Sequence, residues 1–158
     1  SDFCNADYGI LNDTTMKKIL LLVAAISVFS FAAFADDRPI DYNQLPSPAK
    51  EFIKGNFAAL KITYVTKEDD FIRPDYSVML ADGTRLEFNH SGSLKQIANV
   101  NGISSDLIPV SIREYVDLHY PGAGYVEYEI GKRTYEVKLD NRLELKFSSS
   151  FHIIEVDD

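Results

Sequence analysis

The chain has one cysteine, at position 4, only three histidines, and no apolar run longer than that of residues 19–34. Each scarcity excludes something. Without cysteine beyond position 4 the body of the chain forms no disulfides and is stabilised by its core alone. No serine stands in a Gly-x-Ser-x-Gly elbow, so with cysteine also missing the common covalent mechanisms lack their nucleophile signature. His90, His119 and His152 show no H-x-x-x-H or similar ligand spacing, which removes the usual zinc patterns. His119, between Leu118 and Tyr120, reads as a helix-face or capping residue. No D-x-[DN]-x-[DN]-G stretch occurs, so there is no EF-hand loop. The sequence reads as that of a non-enzymatic protein with no required cofactor.

What is present begins with an address. Met16-Lys17-Lys18 opens the apolar run Ile19 to Phe34, and Ala33-Phe34-Ala35 closes it before Asp36-Asp37. A basic start, an apolar stretch and an A-x-A site are the three parts of a secretory signal peptide. The run falls short of the ~20 residues of a spanning helix. Cleavage near Ala35 is expected to leave residues 36–158 in the periplasm or secreted, with no stable membrane insertion. Residues 1–15 precede Met16 and are read as an upstream segment outside the fold. The formal net charge is −8, and losing Lys17, Lys18, Asp2, Asp7 and Asp13 with the leader leaves −7. Such a chain repels phosphate backbones and anionic membranes, so a protein or peptide, basic where it touches, fits better than nucleic acid.

The body of the chain repeats itself. "LPSPAKEFIKGNF" from Leu45 matches "IPVSIREYVDLHY" from Ile108 at a shift of 63. Both place apolar residues at i, i+3, i+4 and i+8: Ala49, Phe52, Ile53, Phe57, then Ile112, Tyr115, Val116, Tyr120. That spacing predicts one stripe of an amphipathic helix, with proline near the first turn and Pro121-Gly122 ending the second copy. After each helix the period falls to two. "YSVMLADGTRLEF" (76–88) and "YEVKLDNRLELKF" (135–147) alternate apolar with polar residues around Asp82-Gly83 and Asp140-Asn141, as half-buried antiparallel hairpins do. Flanking strands are expected at about 60–66, 93–99, 124–130 and 151–156. The shift drops to 59 between Tyr76 and Tyr135, which puts four extra residues in "TKEDDFIRPD".

One helix on four strands buries too little to stand alone, so the copies are expected to share a core. The predicted fold is α+β: two tandem helix-plus-four-strand units, 45–99 and 108–158, joined in an eight-stranded antiparallel sheet with both helices on one face. Residues 36–44 are read as a flexible N-terminus and "ANVNGISSD" (98–106) as the linker.

The helix with its leading proline, followed by Tyr-x-Val-x-Leu, Asp-Gly and a terminal Gly-x-Leu in "YSVMLADGTRLEFNHSGSL", resembles the PepSY module. Two copies behind a signal peptide resemble the PepSY-like family of small periplasmic proteins, whose fold is likened to the β-lactamase inhibitor protein. The second copy departs at Asp140-Asn141 and at Ser148-Ser149-Ser150, which replaces Asn89-His90-Ser91. The resemblance implies a binding or inhibitory protein without catalytic residues, and for some members calcium-responsive expression.

Two surfaces are candidates for function. Glu68, Asp69 and Asp70 form an acidic run in the four-residue insertion. They are a weak calcium candidate, because adjacent acids on an extended chain point apart and a solvated loop explains them as well. Phe71 and Ile72 beside them either tuck under the sheet edge or meet a partner. The polar face of the second unit is the larger candidate: Tyr125, Glu127 and Glu129 on one strand, Glu136 and Lys138 on the next, Arg142, Glu144 and Lys146 on the third. Opposite charges on neighbouring strands stabilise a sheet by ~0.2–1 kcal/mol per pair, so mutual pairing and partner recognition both account for the pattern. The leading expectation is protein or peptide recognition by this face and its loops. The alternative is a calcium-responsive protein binding metal at its acidic loops.

Overall fold

The computed structural model describes residues 37–68 and 72–158. The expected signal segment, and Asp69, Asp70 and Phe71, lie outside the described residues. Nine strands form one antiparallel sheet in chain order: β1 (Asp37–Pro39), β2 (Ile62–Glu68), β3 (Tyr76–Leu80), β4 (Arg85–Phe88), β5 (Leu94–Ile103), β6 (Tyr125–Ile130), β7 (Thr134–Leu139), β8 (Glu144–Ser148) and β9 (Ile153–Asp157). Helix α1 (Ser47–Phe57) precedes β2, and α2 (Val110–His119) precedes β6. The fold is α+β, with nine strands where eight were expected.

The ninth strand comes from residues expected to be flexible. Asp37, Arg38 and Pro39 pair with Glu68, Lys67 and Thr66. A short 3-10 turn, Tyr42–Gln44, follows, capped by Asp41. The Asp41 carboxylate accepts from the Asn43 N–H at 2.8 Å, and the Gln44 side chain accepts from the Asp41 N–H at 3.0 Å, so two donors at the start of the turn are satisfied reciprocally. The expected linker is also largely strand. β5 runs on to Ile103 before a second 3-10 turn, Ser105–Leu107, capped by Ser104. Position 41 meets 104 at the shift of 63, so each helix is entered in the same way.

Alternation explains the core. Val78, Leu80, Leu86, Phe88, Val137, Leu139, Leu145 and Phe147 are all buried. Ala49 and Ile53 of α1 and Ile112 and Val116 of α2 join them in one hydrophobic cluster. Phe52 meets Phe88 edge-on at 5.9 Å and Tyr115 meets Phe147 edge-on at 5.4 Å. Aromatic pairs favour such T-shaped contacts.

The hairpin turns differ slightly from expectation. They hold three residues, and the left-handed position is the third: Gly83 (φ 86°) in one and Arg142 (φ 75°) in the other. The Gly83 N–H donates to the Leu80 carbonyl at 3.0 Å, as the Arg142 N–H does to that of Leu139. Asp140-Asn141 therefore does not close the turn by itself.

Two irregularities lie side by side at the middle of the sheet. β6 carries a bulge between Tyr125, which faces Leu139, and Glu127, which faces Lys138. On β5 the pairing with β6 breaks between Ala98 and Ile103, so the intervening residues stand away from β6.

Candidate functional site

The β6 bulge decides which side chains reach the open face. Strict alternation puts Tyr125, Glu127 and Glu129 together, but the extra residue, Val126, turns Tyr125 over. Tyr125 is 5% exposed and belongs to the core with Tyr128, so its expected place on the polar face is corrected. Burial, and the nearby Asp117 carboxylate, raise the Tyr125 phenol pKa. Burial likewise pushes Tyr128 up to about 12.

Glu127, Glu129, Glu136, Lys138, Glu144 and Lys146 do share the polar face, in two cross-strand rows. One row runs Arg85, Ala98, Glu127, Lys138, Glu144, Asp157. The other runs Ser77, Glu87, Gln96, Glu129, Glu136, Lys146, Glu155. Arg142 stands apart from both, in the β7–β8 turn.

Part of this surface neutralises itself. Lys146 Nζ lies 2.6 Å from Glu136, Lys138 Nζ 3.3 Å from Glu144, and Arg85 Nε 3.7 Å from Glu87. Lys95 pairs with Asp75, and the Gln96 amide donates to Glu127. Hydrogen bonds to their glutamates raise the pKa of both Lys138 and Lys146.

Glu129 is the exception. It stands directly between Gln96 and Glu136, and no cation is within ion-pair distance of it among the described residues. Partial burial raises its pKa, Glu136, Glu127 and Glu87 push the same way, and Lys95 opposes. Like charges set opposite each other destabilise a sheet.

Charges before and within residues 45–99 that sequence reasoning passed over complete the surface: Asp37, Asp75, Arg85, Glu87 and Lys95. Adding the shift of 59 to position 87 gives 146, so the repeat itself held the signal for Glu87. Asp37, Glu68, Asp75 and Glu87 line one shallow depression of about 220 Å³. Among the described residues, however, no three His, Cys, Asp or Glu come together closely enough to hold a metal ion. Ile72 is 83% exposed, so it does not tuck under the sheet edge. His119 Nδ1–H donates to the Tyr115 carbonyl at 2.9 Å and its ring stacks on Tyr115 at 4.1 Å, a helix-face role. Asn56 makes the matching bond to the Phe52 carbonyl at 2.9 Å.

A nine-stranded antiparallel sheet with two helices and cross-strand rows of charge defines the class, a small α+β protein. The family described as "putative beta-lactamase-inhibitor-like, PepSY-like" matches residues 74–155. The chain is similar to a putative calcium-regulated periplasmic protein from Bacteroides thetaiotaomicron, at 36% identity and TM-score 0.73 over 77% of this chain and 97% of that one. It is similar to a putative periplasmic protein of the DUF2874 family from Bacteroides vulgatus, at 35% identity and TM-score 0.74 over 80% of this chain and 100% of that one. A further putative periplasmic protein of unknown function, also from Bacteroides vulgatus, matches at 34% identity and TM-score 0.72 over 77% and 99%. The chain belongs to the PepSY-like family. No curated protein matches it. Among the described residues no helix is long and apolar enough to cross a membrane.

Proposed function

We propose that the protein is a non-enzymatic periplasmic module that recognises a basic protein or peptide through the open polar face of its sheet. The observation carrying this reading is Glu129, set opposite Glu136, with Glu87 one strand beyond Gln96 in the same row and no ion-pair cation of its own among the described residues. Cross-strand pairing accounts for Lys138 with Glu144 and Lys146 with Glu136. It leaves Glu129 unexplained, whereas a Lys or Arg from a partner would relieve the repulsion. Complementary charge of this kind steers and orients association.

The architecture behind the face is, in this reading, a duplication of units 45–99 and 108–158 with both helices on one side. The repeated ring contacts, the matched Asn56 and His119 bonds, and the matched left-handed turn positions support it. Delivery by the signal peptide, with cleavage near Ala35, fits a first strand that begins at Asp37.

Affinity capture from periplasmic extract with wild type and a Glu129→Lys/Glu136→Lys variant tests the proposal. Wild type is expected to retain partners that moderate salt releases and that the variant loses. Equal retention by both contradicts it.

A second reading, in which calcium binds at acidic residues, would use the depression lined by Asp37, Glu68, Asp75 and Glu87, although no three of these acids converge as metal ligands. The Lys95 ammonium on Asp75 weighs against it. Calorimetry with calcium chloride separates the two. Heat abolished by Glu68→Gln would favour calcium, and the first reading expects none.

A further inference from the structure

The interrupted β5–β6 pairing opens a cleft of about 940 Å³ in the middle of the sheet, between the β3–β4 and β7–β8 turns. Arg85, Lys138 and Arg142 line it with Glu127 and Asp140, and Val100 stands at its side, 91% exposed. The cleft thus has more cationic than acidic side chains in a chain of net charge −8.

Its wall is rigid. The Asn99 amide donates to Thr84 Oγ1 at 2.9 Å, and its Oδ1 accepts from the Asn101 N–H at 2.9 Å. The Thr84 N–H in turn donates to Asp82 Oδ1 at 2.9 Å. These bonds tie the raised part of β5 to the β3–β4 turn.

Three of the five charges are already engaged. Arg85 is next to Glu87, Lys138 is paired with Glu144, and Glu127 accepts from Gln96. Asp140 folds over Gly124, where an added Cβ would sit 3.0 Å from its Oδ2. Arg142 has no ion pair among the described residues. It also holds a left-handed φ of 75°, which the equivalent turn gives to Gly83 at 86°. That conformation costs an arginine where a glycine is at ease. A strained, unpaired cation on the rim of a cleft has the character of a binding group.

We propose that this cleft binds an extended peptide through a carboxylate, which the Arg142 guanidinium grips with its planar fork, while an apolar neighbour in the peptide rests against Val100. The proposal goes beyond recognition by the charged rows: the cleft shares Arg85, Glu127 and Lys138 with them but turns on Arg142 and Val100 rather than on Glu129 and Glu136, so either can fail alone.

Amide NMR titration of the protein tests it with three probes: N-acetyl-alanyl-valyl-alanine with a free C-terminal carboxylate, an amidated alanyl-valyl-aspartyl-alanine, and the neutral N-acetyl-alanyl-valyl-alanine amide. Saturable shifts at the Gly83, Val100 and Arg142 amides are expected with one or both acidic probes and not with the neutral one. The two acidic arms tell a chain terminus from an acidic side chain. Arg142→Gly should weaken binding about tenfold or more, as loss of a charge-assisted contact does. Its melting temperature should be equal or higher, so the loss is not one of folding. Shifts of equal size with the neutral probe, no saturable shift with any probe, or wild-type affinity in Arg142→Gly would overturn the assignment.

Discussion

Tyr125 carries its hydroxyl into the core with no hydrogen-bond partner among the described residues. A buried polar group without a partner is costly, so Tyr125→Phe should leave stability unchanged or raise it in urea denaturation. Tyr125→Ala, which removes the ring as well, should cost about 3 kcal/mol or more. Equal losses would mean the hydroxyl is satisfied after all. Alternation correctly put Glu127 and Glu129 on the open face but could not place Tyr125, because a bulge adds a residue without changing composition. The signal was the pair Tyr125 and Tyr128, which fall on Ile62 and Val65 at the shift of 63, where β2 has its own bulge between Ile62 and Tyr64. Glu129 gives a pH test. Its raised pKa means the folded state holds that proton more tightly than the unfolded chain. The penalty is therefore absent below the ordinary value of 4.5, grows as pH rises through the folded pKa, and is complete at neutral pH. Glu129→Gln should accordingly raise the melting temperature slightly at pH 7 and lose that advantage near pH 4. The effect is small because solvent screens so exposed a group.

The turns show how one element is built twice from different residues. Asn89 Oδ1 accepts from the Ser91 and Ser93 N–H groups, both at 3.0 Å. At the β8–β9 turn Ser148 Oγ accepts from the N–H groups of Ser150 at 3.3 Å and His152 at 3.2 Å. What looked in sequence like a departure, Ser148-Ser149-Ser150 for Asn89-His90-Ser91, keeps the same bonds with a shorter acceptor. The left-handed position of this turn is Gly92 (φ 85°) in one copy and Phe151 (φ 60°) in the other. Phe151 stacks on Tyr135 at 5.0 Å, a contact that offsets its strain. At Gly92 the start of α1 comes so close that an added Cβ would sit 2.8 Å from Pro46 Cβ, whereas nothing lies within 4 Å at Gly83. Both glycine-to-alanine changes incur backbone strain of about 1–3 kcal/mol. Gly92→Ala should cost distinctly more in thermal unfolding because it also meets the helix. Similar losses would mean α1 yields easily.

At the scale of the molecule, hydropathy period separated the two faces of the β7–β8 hairpin, though not at the β6 bulge. Val137 is fully buried between Tyr128 and Leu145, and Val137→Asp should destabilise by about 3–5 kcal/mol through an unpaired buried charge. Neighbouring Glu136→Ala should cost under about 0.5 kcal/mol, since its pair with Lys146 is at the surface. Comparable effects in urea titrations would overturn the assigned faces. The ninth strand was not legible, because Asp37-Arg38-Pro39 has no apolar alternation and is a strand only through its pairing with β2. The central cleft was not legible either, for it arises where two strands lose register rather than from any motif. The central claim is that the polar face of the sheet meets the partner, and amide NMR footprinting of a captured partner tests it most directly. The account predicts shifts centred on Glu87, Gln96, Glu129 and Glu136, weakening as salt rises. A footprint centred on α1 and α2, with those four amides unmoved, would contradict it.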